Sequence, residues 1–149
     1  MKKVQIVCVG RIKEKYFTDA IAEYAKRLSR YCDFSVKELP DCADEAGSVD
    51  KESLSILDEL DGYVILTDIG GQLSTSVEVS DIFEKAFISC PKIQLVIGGS
   101  RGVNDGVRRR ADKRISFGKM TFPHQLMRVI AAEQIYRAFT ISAGTAYHK

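Results

Sequence analysis

Two short runs limit what this chain can fold into more than any other feature. Tyr63-Val64-Ile65-Leu66-Thr67-Asp68 and Ile93-Gln94-Leu95-Val96-Ile97 are almost continuously apolar, and they lead into the glycine pairs Gly70-Gly71 and Gly98-Gly99. Short runs with so little polar alternation suit strands covered on both faces, as in a parallel sheet flanked by helices. Further strands are expected at residues 4–9, 34–39 and 114–117. Helices are predicted over residues 16–31, 50–60, 76–88, a short stretch from about 104, and 123–139. Phe17, Ile21, Tyr24 and Leu28 mark the inner face of the first helix. Asp50 reads as the cap of the second, with Leu54 and Leu57 facing inward, after an acidic loop at 41–47. This alternation implies an α/β fold, an open and mostly parallel sheet with helices on both faces. Ligands in such sheets bind beyond the carboxyl ends of the strands. The rule singles out residues 67–71, 97–102 and the stretch after Phe117.

With 149 residues and 45% hydrophobic content, one domain can build its core without disulfides or metals. Cys8, Cys32, Cys42 and Cys90 form no Cys-x-x-Cys and no zinc spacing with a histidine, so reduced cysteines, no bound metal and a cytoplasmic location are expected. No apolar stretch approaches the ~20 residues that cross a bilayer, and the N-terminus has no signal-peptide pattern; no membrane partner is expected. Net charge is only +2, but it is segregated. Residues 38–61 hold nine acidic side chains and one basic, whereas residues 101–119 hold seven basic and two acidic. Two readings fit that basic lobe: a surface that meets phosphates, or the solvated face of a helix at Arg108-Arg109-Arg110.

The turn Gly98-Gly99-Ser100-Arg101-Gly102 is either a tight strand-to-helix connection or a cradle in which backbone approaches a ligand. It matches neither the dinucleotide fingerprint nor the phosphate loop of nucleoside-triphosphate enzymes. Phe117-Gly118-Lys119-Met120-Thr121-Phe122-Pro123-His124-Gln125 offers an apolar slot for a purine or a sulfonium, or else a hydrophobic staple at a helix start. In the last helix Leu126, Val129, Ile130, Tyr136 and Phe139 make one apolar face, and Met127, Ala131, Ile135 and Ala138 another. A helix apolar on two sides packs twice, and a homodimer would supply the second partner; a central position within one chain is the alternative. His124 and Arg128 lie four apart on one stripe; Arg128 opposes the dipole of that helix start, and a bound phosphate or carboxylate would explain both it and the free N–H groups there. Glu133 and Arg137 read as a salt bridge. The tail Tyr147-His148-Lys149 is either frayed or supplies a base, a stacking ring and a cation suited to an RNA nucleotide.

Taken together, Gly10-Arg11-Ile12-Lys13-Glu14-Lys15-Tyr16, the run from Lys119 to Gln125, Arg128-Val129, Glu133-Gln134, Tyr136-Arg137-Ala138 and the Ala146-Tyr147-His148-Lys149 tail resemble the RlmH family over the whole chain. Its members are SPOUT-class methyltransferases acting on N3 of a pseudouridine in the large ribosomal subunit. The resemblance implies a C-terminal trefoil knot, a homodimer, and S-adenosyl-L-methionine bound at Thr67, Gly98, Phe117, Gly118, Lys119, Met120, Thr121 and Phe122. Thr67 stands where the family usually carries an apolar residue, and the stretch between Pro40 and Asp50 is shorter than in many members. The implied substrate is helix 69 of 23S rRNA in the assembled ribosome, with no DNA partner. His124, Arg128, Tyr147 and His148 are the expected RNA contacts; His148 of the partner subunit is the expected base, and Arg128 an assisting group. The rivals are a methyltransferase acting on another RNA such as tRNA, and a ribosome-binding protein without catalysis.

Overall fold

The computed structural model describes residues 1–42 and 46–149; positions 43–45, the middle of the expected acidic loop, lie outside the described residues. Elements alternate as β1 (Lys3–Val9), α1 (Lys15–Leu28), β2 (Asp33–Leu39), α2 (Ser48–Glu59), β3 (Tyr63–Leu73), α3 (Ser76–Ser89), β4 (Lys92–Ile97), α4 (Asp105–Arg110), β5 (Lys113–Ser116) and α5 (His124–Ser142). The strands form one sheet in the order β2-β1-β4-β3-β5, every pair parallel.

Each strand face feeds a different core, as a two-residue side-chain period requires. Val4, Ile6 and Cys8 of β1, Ile65 of β3 and Ile93, Leu95 and Ile97 of β4 pack in one cluster with Leu28 of α1, Val79 and Phe83 of α3 and Ala131, Ala132 and Ile135 of α5. Val7, Val9, Val64, Leu66 and Val96 turn to the other side and meet Ile56 of α2 and Val107 of α4. The apolar runs are therefore explained by burial on both faces. Gln94 interrupts one of them without cost. Its side chain is fully buried, its Oε1 accepts from Asp61 N (2.8 Å) and Gly62 N (2.9 Å), and its Nε2 donates to Gln5 Oε1 (2.8 Å) and Glu59 O (2.9 Å). Gln94→Leu strands two backbone N–H groups at the α2–β3 turn, so urea unfolding should show a loss of about 2–3 kcal/mol. An unchanged midpoint would mean that water replaces the amide.

Several expected details shift, each for a local reason. The first helix stops at Leu28, where the Ser29 N–H closes back on Ala25 and Lys26. Gly47, with φ +84°, caps α2, and Asp50 sits inside the first turn, accepting from Asn104 Nδ2 at 3.0 Å. Leu54 faces solvent; Ser53 and Ile56 fill the inner stripe with Leu57 beside them, because Ser53 Oγ accepts from Asn104 N at 3.0 Å. The largest difference is in β3. Gly70-Gly71 does not end the strand, which continues to Leu73 beside β5 after an irregularity between Thr67 and Gln72. At Gly71 a Cβ would lie 2.8 Å from Ile115 N, so the glycine permits a close backbone approach. The last helix begins at His124, one residue after the expected start, and runs three residues further than expected. Tyr136 and Phe139 join its core face; Leu126, Val129 and Ile130 belong to neither core cluster.

Candidate active site

The carboxyl ends of β4, β3 and β5 surround a cavity of about 760 Å³. Its walls are Thr67, Asp68 and Ile69 at the irregularity within β3, the turn from Ile97 to Val103 at the end of β4, and Ser116 to Gly118 and Met120 to His124 at and after the end of β5, with Arg108 and Met127. Every expected cofactor residue lines it except Lys119, whose side chain is exposed. Asp68, Ile69 and Ser100 fall in the strand-end stretches singled out in the sequence, whereas Val103, Arg108 and Met127 line the cavity from outside them.

The two readings of the glycine turn both hold. Gly102 N donates to Gly99 O at 3.0 Å, and Gly102 takes φ +77°, closing a tight turn whose backbone is also cavity wall. At Gly98 a Cβ would come within 3.0 Å of both Gly102 C and Val103 Cγ1. Thr67 donates its hydroxyl proton to Val96 O at 3.0 Å, so it brings no unmet donor to a wall that is otherwise largely apolar. Asp68 pins the rim. It accepts from Arg114 Nη2 (2.7 Å) and Nε (3.2 Å) and lies 3.5 Å from Arg108 Nε. Burial raises its pKa, but Arg114, the Gly70 N–H and the Arg108 charge outweigh burial and hold the carboxyl below its ordinary value. The basic lobe is thus partly committed: Arg108 and Arg114 to Asp68, and Arg110 to Asp112 and Gly62 O.

His124 stands at the start of α5 and lines this cavity and a second one beside it. Burial first, and then the Arg128 charge, lower its pKa against the pull of Asp41. It therefore enters both cavities as a neutral ring at neutral pH. Phe122 and Met127 occupy the staple positions of α5 and line the cavity, which reconciles the slot with the staple.

Arg128 is not displayed to an RNA phosphate. Its side chain is fully buried; Nη1 donates to Glu38 Oε2 at 2.9 Å and Nη2 to Val9 O at 2.6 Å. The anion that its position called for is the carboxylate of β2.

The tail is docked. Tyr147 packs edge-on against Tyr136 with ring centroids 4.8 Å apart, lies 4.8 Å beneath the Arg137 guanidinium, and donates to Glu133 Oε1 at 3.4 Å. Arg137 grips the same Glu133 oxygen through Nε (2.8 Å) and Nη2 (2.5 Å), and its Nη1 lies 3.0 Å from His148 Nδ1. A guanidinium only donates, so Nδ1 is the unprotonated ring nitrogen and Nε2 carries the proton. Arg137 is the site residue that sequence spacing hid behind a routine salt bridge. Tyr147 and His148 do not line their own chain's cavity.

A family model described as "Predicted SPOUT methyltransferase" matches residues 1–148. The chain belongs to the SPOUT methyltransferase family. It is 46% identical over 157 aligned residues to the ribosomal RNA large subunit methyltransferase H of Clostridium novyi (strain NT), across 98% of this chain and 99% of that protein. The protein of the same name in Listeria monocytogenes is 44% identical over 159 residues, with the same coverage. A probable methylase family protein from Haemophilus influenzae Rd KW20 superposes with a TM-score of 0.57 at 14% identity, covering 98% of this chain and 70% of that one. The tRNA (m1G37) methyltransferase of Aquifex aeolicus gives 0.53 at 13% identity, covering 91% and 70%. These two structures share the fold.

The cavity of this SPOUT methyltransferase fits S-adenosylmethionine in size and chemistry. Its volume falls within the ~300–1,000 Å³ usual for cofactor sites. Phe117, Met120, Phe122 and Met127 suit a purine and a sulfonium, and the glycine turn offers backbone polar groups. Gly98→Val pushes a branched side chain against Gly102 and Val103 and into this space. An overpacking penalty of about 1–3 kcal/mol corresponds to roughly 5- to 150-fold weaker cofactor binding by calorimetry. Unchanged affinity would move the cofactor elsewhere.

Proposed function

We propose that this SPOUT methyltransferase methylates N3 of a pseudouridine in helix 69 of 23S rRNA, within the assembled ribosome, as a cytoplasmic homodimer. The observation that carries the reading is the division of labour in the chain. One cavity is shaped for a methyl donor, while a docked histidine tail lies outside that cavity on the far end of α5. The names of the rRNA methyltransferase relatives, matched over nearly the whole chain, support the substrate class.

Leu126, Val129 and Ile130 support the dimer. At helical spacing they share one stripe of α5 with Glu133 and Arg137, so an apolar patch outside both cores runs directly into the residues that hold the tail. A second subunit packed on that stripe would bring its Tyr147 and His148 toward this chain's cavity. The C-terminal threading is then the family's trefoil knot, in keeping with a cavity built from the ends of β3, β4 and β5 and the start of α5. Among the described residues no helix is long and apolar enough to cross a membrane.

S-adenosylmethionine supplies a methyl group on a sulfonium leaving group, and Thr67, Gly98, Gly118 and Phe122 are among the residues that would hold it. The chain's own task is to orient the acceptor and take its proton. The pseudouridine N3–H is a weak acid, and the partner subunit's His148 would take its proton at Nδ1. In the free chain that lone pair is covered by Arg137. Substrate phosphate or carbonyl oxygens drawing the guanidinium away would release it, so Arg137 acts as a latch on the base. Arg128 keeps α5 in register with β1 and β2 as a positioning residue.

The test offers radiolabelled S-adenosylmethionine with intact ribosomes, separated subunits and bulk tRNA. Label in 23S rRNA, strongest with intact ribosomes, is the expected result. Label in tRNA, or none in any RNA, would overturn the proposal.

A further inference from the structure

The second cavity has no part in the chemistry above. It is about 680 Å³, lies beyond the carboxyl ends of β1 and β2, and shares His124 with the cofactor cavity. Gly10, Arg11 and Lys13 of the β1–α1 loop form one wall; Glu38 to Asp41 and Gln125 complete it. The loop is fixed in place, because Ile12 N donates to Glu38 Oε2 at 2.7 Å and Lys13 N to Gln125 Oε1 at 3.4 Å.

Two features make this a place for an anion. Arg11 and Lys13 are exposed cations without an ion-pair partner among the described residues, whereas Arg27, Arg108, Arg110, Arg114, Arg128 and Arg137 are all paired. Helix α5 begins beside this cavity, with neither a side-chain cap nor an acidic residue in its first turn. By contrast α3 carries a full capping box, and α4 has an asparagine cap with an acid behind it. The partial positive charge at the start of α5 is thus left unanswered next to the two cations.

The carboxylates in the wall do not cancel this. Glu38 Oε2 is spent on Arg128 and the Ile12 N–H. Asp41 leaves one wall carboxylate against the two cations, and it faces Glu52.

Resting on the RNA-methylation reading, we propose that this cavity is a phosphodiester subsite. It takes the backbone phosphate beside the methyl-accepting nucleotide, through Arg11, Lys13 and the N–H groups at the start of α5. His124, neutral and common to both cavities, stands between the phosphate and the reacting base. The arrangement positions the strand without reading its sequence.

The test is Arg11→Ala/Lys13→Ala, with Arg11→Lys/Lys13→Arg as the charge-keeping control. Three readouts apply: calorimetric S-adenosylmethionine affinity, kcat and KM for intact ribosomes, and the salt dependence of binding to purified 23S rRNA. Losing the neutralisation of one phosphate should make the log–log salt slope shallower by about 0.7–0.9. The KM for ribosomes should rise about tenfold or more, with kcat and cofactor affinity within about twofold and the control near wild type. An unchanged KM and slope would overturn the subsite, and so would weakened cofactor binding with a matching thermal melt. If the wild type methylates no RNA, a shallower salt slope in the alanine variant still supports the subsite and removes only the reaction.

Discussion

Replacing Arg128 by alanine is expected to remove about 3 kcal/mol of stability and to leave no specific RNA defect at temperatures where the protein stays folded. The guanidinium is fully buried and ties Val9 O on β1 to Glu38 on β2 from within α5. Removing one partner of a buried pair costs about 3–5 kcal/mol, because the other loses its donor out of water. Glu38 is about one-third exposed, at 36%, and regains some hydration, which places the loss at the low end of the range. Lysine should rescue little. It carries one point charge and cannot span two acceptors as the fork of Arg128 does. The measurement is the urea midpoint of the alanine, lysine and wild-type proteins, beside RNA affinity at 10 °C. Wild-type stability with weakened RNA binding would return Arg128 to the RNA surface.

The second large effect is catalytic. His148→Ala should lower the methylation rate by about 10²–10⁴ while sparing cofactor binding, as expected for a lost general base. The sharper form of the experiment uses two impaired chains together, at an S-adenosylmethionine concentration that fills the wild-type cavity but not that of Gly98→Val. A His148→Ala chain keeps an intact cavity, and a Gly98→Val chain keeps an intact tail. If the tail serves the partner's cavity, mixed dimers contain one complete site and regain activity. If each tail serves its own cavity, the mixture stays inactive. Arg137→Ala adds a further check on the latch: exposing the Nδ1 lone pair should change the pH profile of kcat as well as its size. A near-normal rate in His148→Ala with normal ribosome binding would remove the base from the mechanism.

Much of the sheet was legible in the chain because burial on both faces leaves an unbroken apolar signature, as in Val64 to Leu66 and Leu95 to Ile97. Strand order was not, since pairing β3 between β4 and β5 depends on contacts distant in sequence. Gly70-Gly71 was misread as a stop because a glycine that admits a neighbouring backbone looks, in sequence, like one that makes a turn. The inner face of α2 was misplaced for a related reason: Ser53 is buried by a hydrogen bond to α4, and no hydrophobic period reports that.

The site divides the same way. The cavity loops were legible from glycine and aromatic spacing at strand ends and from the family resemblance. The roles of Arg128 and Arg137 were not. Both are arginines on α5, and only the fold shows that one meets a strand carboxylate and the other the tail histidine. Arg11 and Lys13 drew notice as part of a family segment, but their closeness to His124 crosses more than a hundred residues of chain.

The most direct test of the central claim is to map the methyl group. Ribosomes incubated with the protein and S-adenosylmethionine would be digested, and the 23S rRNA fragments compared by mass spectrometry with untreated ones. The expected result is one added methyl, on N3 of a pseudouridine in helix 69, absent when Gly98→Val replaces the wild type. A methyl on another nucleotide, or rRNA identical to the untreated sample, would contradict it.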